Sequence, residues 1–362
     1  MSNKFPSIRT VAARAGVSTA TVSNVLNARR SVAPELAARV RAAVAELGYI
    51  ADLGASRLRS RRSHVAGLLL PDLANPFFGT LAAVLEAAAR HDGYDLLIAC
   101  SGDDTAQEAA RLRALLTWRP AGIIIVPCEG RFAGRELAEA AGVRLVACDR
   151  IPDGPPLDLI AVDNRGAAAS VVRHLLATGR RHILLAAARA SIGNIAERCG
   201  AARAEAEAAG ARLELLEVGV SLADSRAHLA RRLAAPPLPD AVFALNNLAT
   251  LGALSALDAA GLAVPQDVAL VGFDDAAWME VASPPLTAVS QPVEALARAA
   301  WARLLARIGG DTAPPLEVRL PCTLEVRDST LAGTRQFFHE PALLSGTGAA
   351  DGAGAQRKEW AG

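Results

Sequence analysis

The chain has 362 residues, 52% of them hydrophobic and 21% charged, with a formal net charge of +1. That is enough apolar matter for two or three domains and sets aside a disordered chain. The near-zero charge is an average of opposites: residues 1–64 carry eleven Lys and Arg against three Asp and Glu, a sum of +8, which leaves −7 for the rest. A basic head on an acidic body points to a polyanion partner for the head alone.

The head comes first in chain order. Ile8, Val11, Ala12 and Ala15 recur at helical spacing, with Ser7 placed as a cap and Gly16 as a left-handed stop. Ser18 is placed to cap a second helix, whose apolar side is Val22, Val25 and Leu26. A third stripe runs Leu36, Val40, Val44 and Leu47 and stops at Gly48, with Pro34 in its first turn. Three short helices with a tight glycine turn between the first two predict a helix-turn-helix. Its second helix would present Thr19, Ala20, Ser23, Asn24 and Asn27 to the major groove. Asn pairs bidentately with adenine, and Thr and Ala meet thymine methyl groups.

Residues 50–64 are short and polar, with Gly54 weakening any helix. Such a segment gains helical order from a partner. Beyond it, strand-like runs at 65–70, 94–99, 122–126, 143–147, 159–162, 182–186, 213–218, 241–245 and 268–271 alternate with amphipathic helical stretches. This alternation predicts parallel sheets covered on both faces by helices. The Pro- and Gly-rich loop at 151–157 reads as a seam between two α/β halves. Asn75, Phe77, Phe78, Asp149, Asn246 and Asp274 fall at or just after strand ends, and Arg198 falls near a helix start. Ligands of open α/β sheets sit beyond the carboxyl ends of the strands, so these residues are the candidate pocket.

Residues 11–27, VAARAGVSTATVSNVLN, resemble the headpiece of the lactose/galactose repressor family, and residues 46–49, ELGY, continue the likeness. The body is similar to the family's periplasmic-binding-protein-like sensor core. The likeness is carried by NPFF at 75–78, GIII at 122–125, VDN at 162–164, Asn246, VGFDD at 271–275 and PPLT at 284–287. The resemblance implies an all-α headpiece (1–50), a hinge (51–64) and an effector-binding and dimerisation body (65–330). The body would hold two doubly wound parallel-sheet subdomains, with chain crossings near 163, 290 and 320. The tail (331–362), rich in Gly, Ala and Ser and without a heptad repeat, reads as disordered from its composition.

The resemblance also implies roles for particular residues. Ile8, Arg9, Ser18, Thr21 and Ser31 join the reading face at the DNA, with Ala55, Arg57 and Leu58 from the hinge. Leu58 would be the wedge that unstacks a base step in the minor groove. Asp149, Arg198, Asn246 and Asp274 would line the effector cleft, where carboxylates, an amide and a guanidinium suit a sugar or sugar acid. The chain departs from the family at Asn24, where Arg is usual, and at Ala33, where a capping Ser is usual, unless Ser31 substitutes. It also departs at Ala196, Ala201, Ala202, Val220 and Asn247, leaving Phe77, Phe78 and Trp278 as the aromatic candidates near a ligand.

Two rivals are weaker. An enzyme of dinucleotide-binding type would need a GxGxxG turn, and no such turn, GxSxG elbow, Walker loop or HExxH appears. A periplasmic solute receptor shares the body but is opposed by the basic head and by an opening without a signal-type apolar run. The five cysteines form no CxxC pair and no zinc spacing, as expected of a reduced cytoplasm. The longest apolar stretch, 241–257, is shorter than the ~20 residues of a membrane span. The expectation is a cytoplasmic, homodimeric, effector-controlled regulator of operator DNA, most simply a repressor, with no catalytic residues, metal or cofactor.

Overall fold

The structure, a computed structural model, describes residues 6–26, 32–49, 63–128, 132 and 134–331. The expected hinge is described only at Ser63 and His64 and the expected tail only at Leu331, and Asn27, Ser31, Ala55, Arg57 and Leu58 lie outside the described residues.

Helices α1 (Ile8–Ala15), α2 (Thr19–Leu26) and α3 (Pro34–Leu47) form the headpiece. Ser7 and Thr10 make a reciprocal capping box at the start of α1, and Gly16 ends it at φ 62°. Val11, Ala12, Ala15, Val22, Val40 and Ala43 pack into one small buried cluster. Such a core is stabilised by little apolar area, so the caps matter to it. Ala33 makes no side-chain cap, as its missing hydroxyl dictates. Arg39 of α3 completes the end of α1 instead, donating from Nη2 to the Ala15 carbonyl at 2.6 Å.

The body holds two six-stranded sheets. Strands β1 (Val65–Leu70), β2 (Asp95–Cys100), β3 (Gly122–Ile125), β4 (Arg144–Cys148), β5 (Leu159–Val162) and β11 (Glu317–Leu320) form the first, in the order β11-β5-β4-β3-β1-β2. Strands β6 (His182–Ala187), β7 (Arg212–Glu217), β8 (Ala241–Ala244), β9 (Ala269–Phe273), β10 (Thr287–Ser290) and β12 (Thr323–Glu325) form the second, in the order β12-β10-β9-β8-β6-β7. The two orders are the same doubly wound pattern repeated. All pairings are parallel except β10 with β12. The central strand β1 is buried at all six residues, as a strand covered on both faces must be.

The chain leaves the first sheet after β5, returns after β10 through helix Val293–Ile308, and passes to the second again after β11. This corrects the seam expected at 151–157. That loop lies inside the first subdomain, because β5 pairs with β4 and β11 rather than opening the second sheet. Strands β10, β11 and β12 are absent from the strand-like runs of the sequence. They are three or four residues long and carry Thr, Ser, Glu and Arg, so no apolar run announces them. Among the described residues no helix is long and apolar enough to cross a membrane.

Candidate functional site

The reading face of the headpiece is built from the turn outward. Ser18 Oγ accepts the Thr21 N–H at 3.1 Å, and the two hydroxyls bond to each other at 2.9 Å. They hold the start of α2. Ser18, Thr19 and Ala20 are exposed at that start, and Thr21, Ser23 and Asn24 are half-buried. Arg9 is exposed, whereas the Ile8 side chain packs against the headpiece cluster. The basic charge is partly spent internally. Arg14 binds Glu46 at 2.7 Å and Arg39 holds α1, so Arg9 and Arg41 are the exposed cations of the described headpiece without such a task.

In the body, the ends of strands from both sheets meet at one cavity of about 40 Å3. It is lined by Asn75, Phe77, Phe78, Asp149, Arg198, Asn246 and Asp274, together with Arg150, Ile192, Asn194, Ile195 and Gln291. The structure thus gathers all seven residues marked from strand and helix ends, drawn from five separate places in the chain. Asn75 and Asn246 also cap helices, accepting at Oδ1 from Phe77 at 3.1 Å and from Ala249 at 2.8 Å. This commits each carbonyl oxygen and leaves the amide NH2 uncommitted by the cap. Phe77 and Phe78 sit edge to face, 5.2 Å apart, and belong to the core cluster of the first subdomain while lining the cavity. Trp278 and Val220 are not in the lining; Trp278 packs against the second subdomain's core.

Asp149 and Asp274 occupy equivalent places, just past β4 in one sheet and β9 in the other. Both adopt left-handed backbone, φ 65° and 66°. That conformation costs an L-residue roughly 1–2 kcal/mol and needs surrounding structure to hold it. Arg198 comes from helix Gly193–Ala208 and is 2% exposed. Its guanidinium lies 3.5 Å from the centre of the Phe273 ring, with Nε bound to Asn164 Oδ1 at 2.8 Å and Nη1 to the Leu245 carbonyl at 2.7 Å. Burial draws the Arg198 guanidinium below its ordinary value, opposed by Asp274 and Asp149. Burial also pushes the Asp149 carboxyl up to about 6, against the pull of Arg198 and Arg150, and raises Asp274.

Three buried atoms of this cavity have no partner: Asp149 Oδ1, Arg198 Nη2 and Gln291 Oε1. An unpaired buried polar group is costly, so the cavity is built for an occupant that supplies hydrogen bonds. A larger cavity of about 240 Å3 between helix Gly134–Ala140 and the loop at 152–157 has no such atoms among the described residues. There Arg135 is engaged by Glu139 and by the carbonyls of Pro155 and Pro156.

The sequence did not single out Arg150, Asn194 or Gln291. Arg150 adjoins Asp149 in the sequence, but neighbours on a chain ordinarily point apart. Asn194 enters because the two subdomains meet, its Nδ2 donating across the cleft to Asp149 Oδ2 at 3.3 Å. Gln291, at the return crossing, donates from Nε2 to Asp274 Oδ1.

Residues 7–52 match the family described as bacterial regulatory proteins, lacI family, and residues 172–330 match a periplasmic binding protein-like domain. Over 90% of its length the chain is 32% identical to the HTH-type transcriptional regulator GntR of Pseudomonas aeruginosa, covering 96% of that protein. It is also 32% identical to the HTH-type transcriptional regulator CelR of Thermobifida fusca, over 90% of this chain and 98% of the relative. Among solved structures, a Lac repressor dimer bound to operator and the anti-inducer ONPF matches with a TM-score of 0.79 at 27% identity, over 91% of this chain and 100% of that one. A CelR–cellobiose complex matches with a TM-score of 0.67 at 30% identity, over 90% and 99%.

Proposed function

We propose, for a chain that belongs to the lacI family of bacterial regulatory proteins and is a sequence-specific DNA-binding transcriptional regulator, that its operator affinity is set by a sugar or sugar-like effector in the cleft between the body subdomains. The observation that carries this reading is the convergence of seven strand-end and helix residues on one cavity that holds three unpartnered buried atoms. A hydroxyl-rich ligand supplies both the donors that Asp149 and Gln291 lack and the acceptor that Arg198 lacks. The solved CelR–cellobiose complex supports a carbohydrate effector.

The regulator acts in the cytoplasm as a homodimeric repressor. A dimer suits recognition of two half-sites, and the Lac repressor neighbour is itself a dimer on operator. Base reading falls to Thr19, Ala20, Ser23, Asn24 and Asn27. Ile8, Arg9, Ser18, Thr21, Ser31 and Arg57 position the backbone, and Ala55 and Leu58 enter the minor groove. The relatives GntR and CelR are HTH-type transcriptional regulators, and the chain acts by binding rather than by catalysis. Effector binding favours one angle between the subdomains, and across the dimer that angle sets the spacing of the two hinges. This requires tighter effector binding to one arrangement than to the other.

The test pairs two measurements on the full chain. A thermal-shift screen against sugars and sugar acids finds the ligand, since anything that binds only the folded state stabilises it. Gel retardation of promoter DNA, with and without that ligand, must then show a salt-sensitive complex whose affinity the ligand changes. Salt-insensitive binding, or a stabilising ligand without effect on the complex, refutes the proposal.

A further inference from the structure

Arg150 stands in the wall of the effector cavity, 7% exposed, with its guanidinium 5.8 Å from the centre of the Phe78 ring. A cation so placed is the natural partner for an acidic ligand, but it is already taken. Asp103, from the loop after β2, binds it with both carboxylate oxygens: Arg150 Nη2 donates to Oδ2 at 3.1 Å and Nη1 to Oδ1. Nη1 also reaches the Pro127 carbonyl at 3.4 Å. Burial opposes the charge on Arg150, and the bonds and charge of Asp103, together with the charge of Asp149, outweigh it and raise its pKa.

Asp103 is itself held from two directions. Its backbone is left-handed, φ 58°, and its carbonyl accepts from Arg189 Nη2 of the opposite subdomain at 3.1 Å. A carboxylate built into the chain thus engages the guanidinium that the carboxylate of a sugar acid would seek. Asp103, Asp149 and Asp274 stand against Arg150, Arg198 and Arg189, so the formal charges cancel and no net positive charge is left for an anion. The unpartnered atoms are two acceptors and one donor, so ligand hydroxyls serve all three, whereas a carboxylate, which only accepts, serves Arg198 Nη2 alone.

We infer that Asp103 is a specificity-determining positioning residue: by occupying Arg150 it restricts the effector to uncharged polyhydroxylated compounds and turns away their acid counterparts. This sharpens the effector-cleft reading and rests on it. Discrimination here comes from a repulsive element as much as from an attractive one.

Asp103→Asn tests it, because Asn tolerates left-handed backbone and the Arg189 bond goes to the main chain. The full-length protein is titrated with glucose, galactose and ribose and with gluconate, glucuronate, galacturonate and ribonate, following melting temperature and binding heat. The wild type is stabilised by an uncharged sugar and not by the acids. Asp103→Asn gains affinity for an acid by about tenfold or more, the worth of one charge-assisted hydrogen bond. The double variant Asp103→Asn with Arg150→Gln loses that gain. The readout is the ratio of acid to sugar affinity, which a merely structural loss would leave alone. A wild type that binds an acid as well as the matching sugar, or an unchanged ratio in Asp103→Asn, overturns the assignment and leaves the cleft reading standing. Stabilisation by no compound in either protein overturns both.

Discussion

The headpiece and the effector cleft differ in how far apart in sequence their decisive contacts lie. In the headpiece, the capping box joins residues three apart and the Arg14–Glu46 pair joins residues 32 apart. In the cleft, Arg198 reaches Leu245 over 47 positions, Asn194 reaches Asp149 over 45, and Arg189 reaches Asp103 over 86. The headpiece is held by caps and a glycine turn, each local and each worth about 1 kcal/mol, and by a small core that joins its three helices. The cleft is held by buried charges that are stable only while every partner is present. A single change should therefore cost less in the headpiece than in the cleft.

Arg198→Ala should give the largest effect. It removes the lone donor among the unpartnered cavity atoms and strips Asn164 and the Leu245 carbonyl of their bonds. Loss of a buried, hydrogen-bonded charge costs roughly 2–5 kcal/mol in binding. Calorimetry should therefore show effector affinity falling by about a hundredfold or more, with gel retardation of operator DNA retained. A normal effector response in this variant would remove the cleft from the comparison.

Asp149→Asn should separate the regions by pH. The folded chain holds the Asp149 proton more tightly than the unfolded chain, so its carboxyl destabilises the body as pH rises from the ordinary carboxyl range to about 6. The cost grows across that window to about 3 kcal/mol and is constant above it. The body's melting temperature in wild type, relative to Asp149→Asn, should be higher near pH 4 and drop as pH approaches 7. A ligand hydroxyl that donates to the ionised carboxylate should bind wild type more tightly above pH 6, with a weaker pH dependence in the variant, which keeps only Asp274. Parallel profiles for the two proteins would sink this account.

Gly16→Ala acts on the other region and more gently. Left-handed backbone disfavours the new side chain by about 1–2 kcal/mol, and the added Cβ would lie 2.5 Å from Arg39 Nη2, the far end of a flexible side chain. DNA affinity should weaken several-fold while effector binding is unchanged; a coupled loss of both would mean that the regions are less independent than their contacts indicate. Asn24→Arg should be the smallest in stability, with a shift in preferred operator sequence worth ~1–3 kcal/mol at one base pair, read by competition between operators. Unchanged preference would take Asn24 off the reading face.

Much of the fold was legible because it is written in short periods. Alternating apolar runs marked nine of the twelve strands among the described residues within a residue or two, and Gly16, Gly48, Ser7 and Ser18 marked their helix ends. The short polar strands β10 to β12 were illegible, since sheet pairing rather than composition makes them strands. The misplaced seam at 151–157 has the same cause: a Pro- and Gly-rich loop says where the chain turns and not which sheet the next strand joins. Arg39 read as part of a basic surface and proved to be a clamp on α1, a distinction that only a folded neighbour supplies.

The sequence by itself determined that this chain carries a basic helical head and two α/β halves, and which residues stand at the ends of their strands. Helix and strand periodicity, capping and charge segregation act over a few residues and need no knowledge of the rest of the chain. Only the tertiary structure decided that those ends share one cavity, that Asn194 and Gln291 enter it, and that Asp103 takes Arg150 before any ligand can. Hydrogen bonds and charge pairing depend on distance in space, and the doubly wound topology places residues dozens of positions apart within bonding reach.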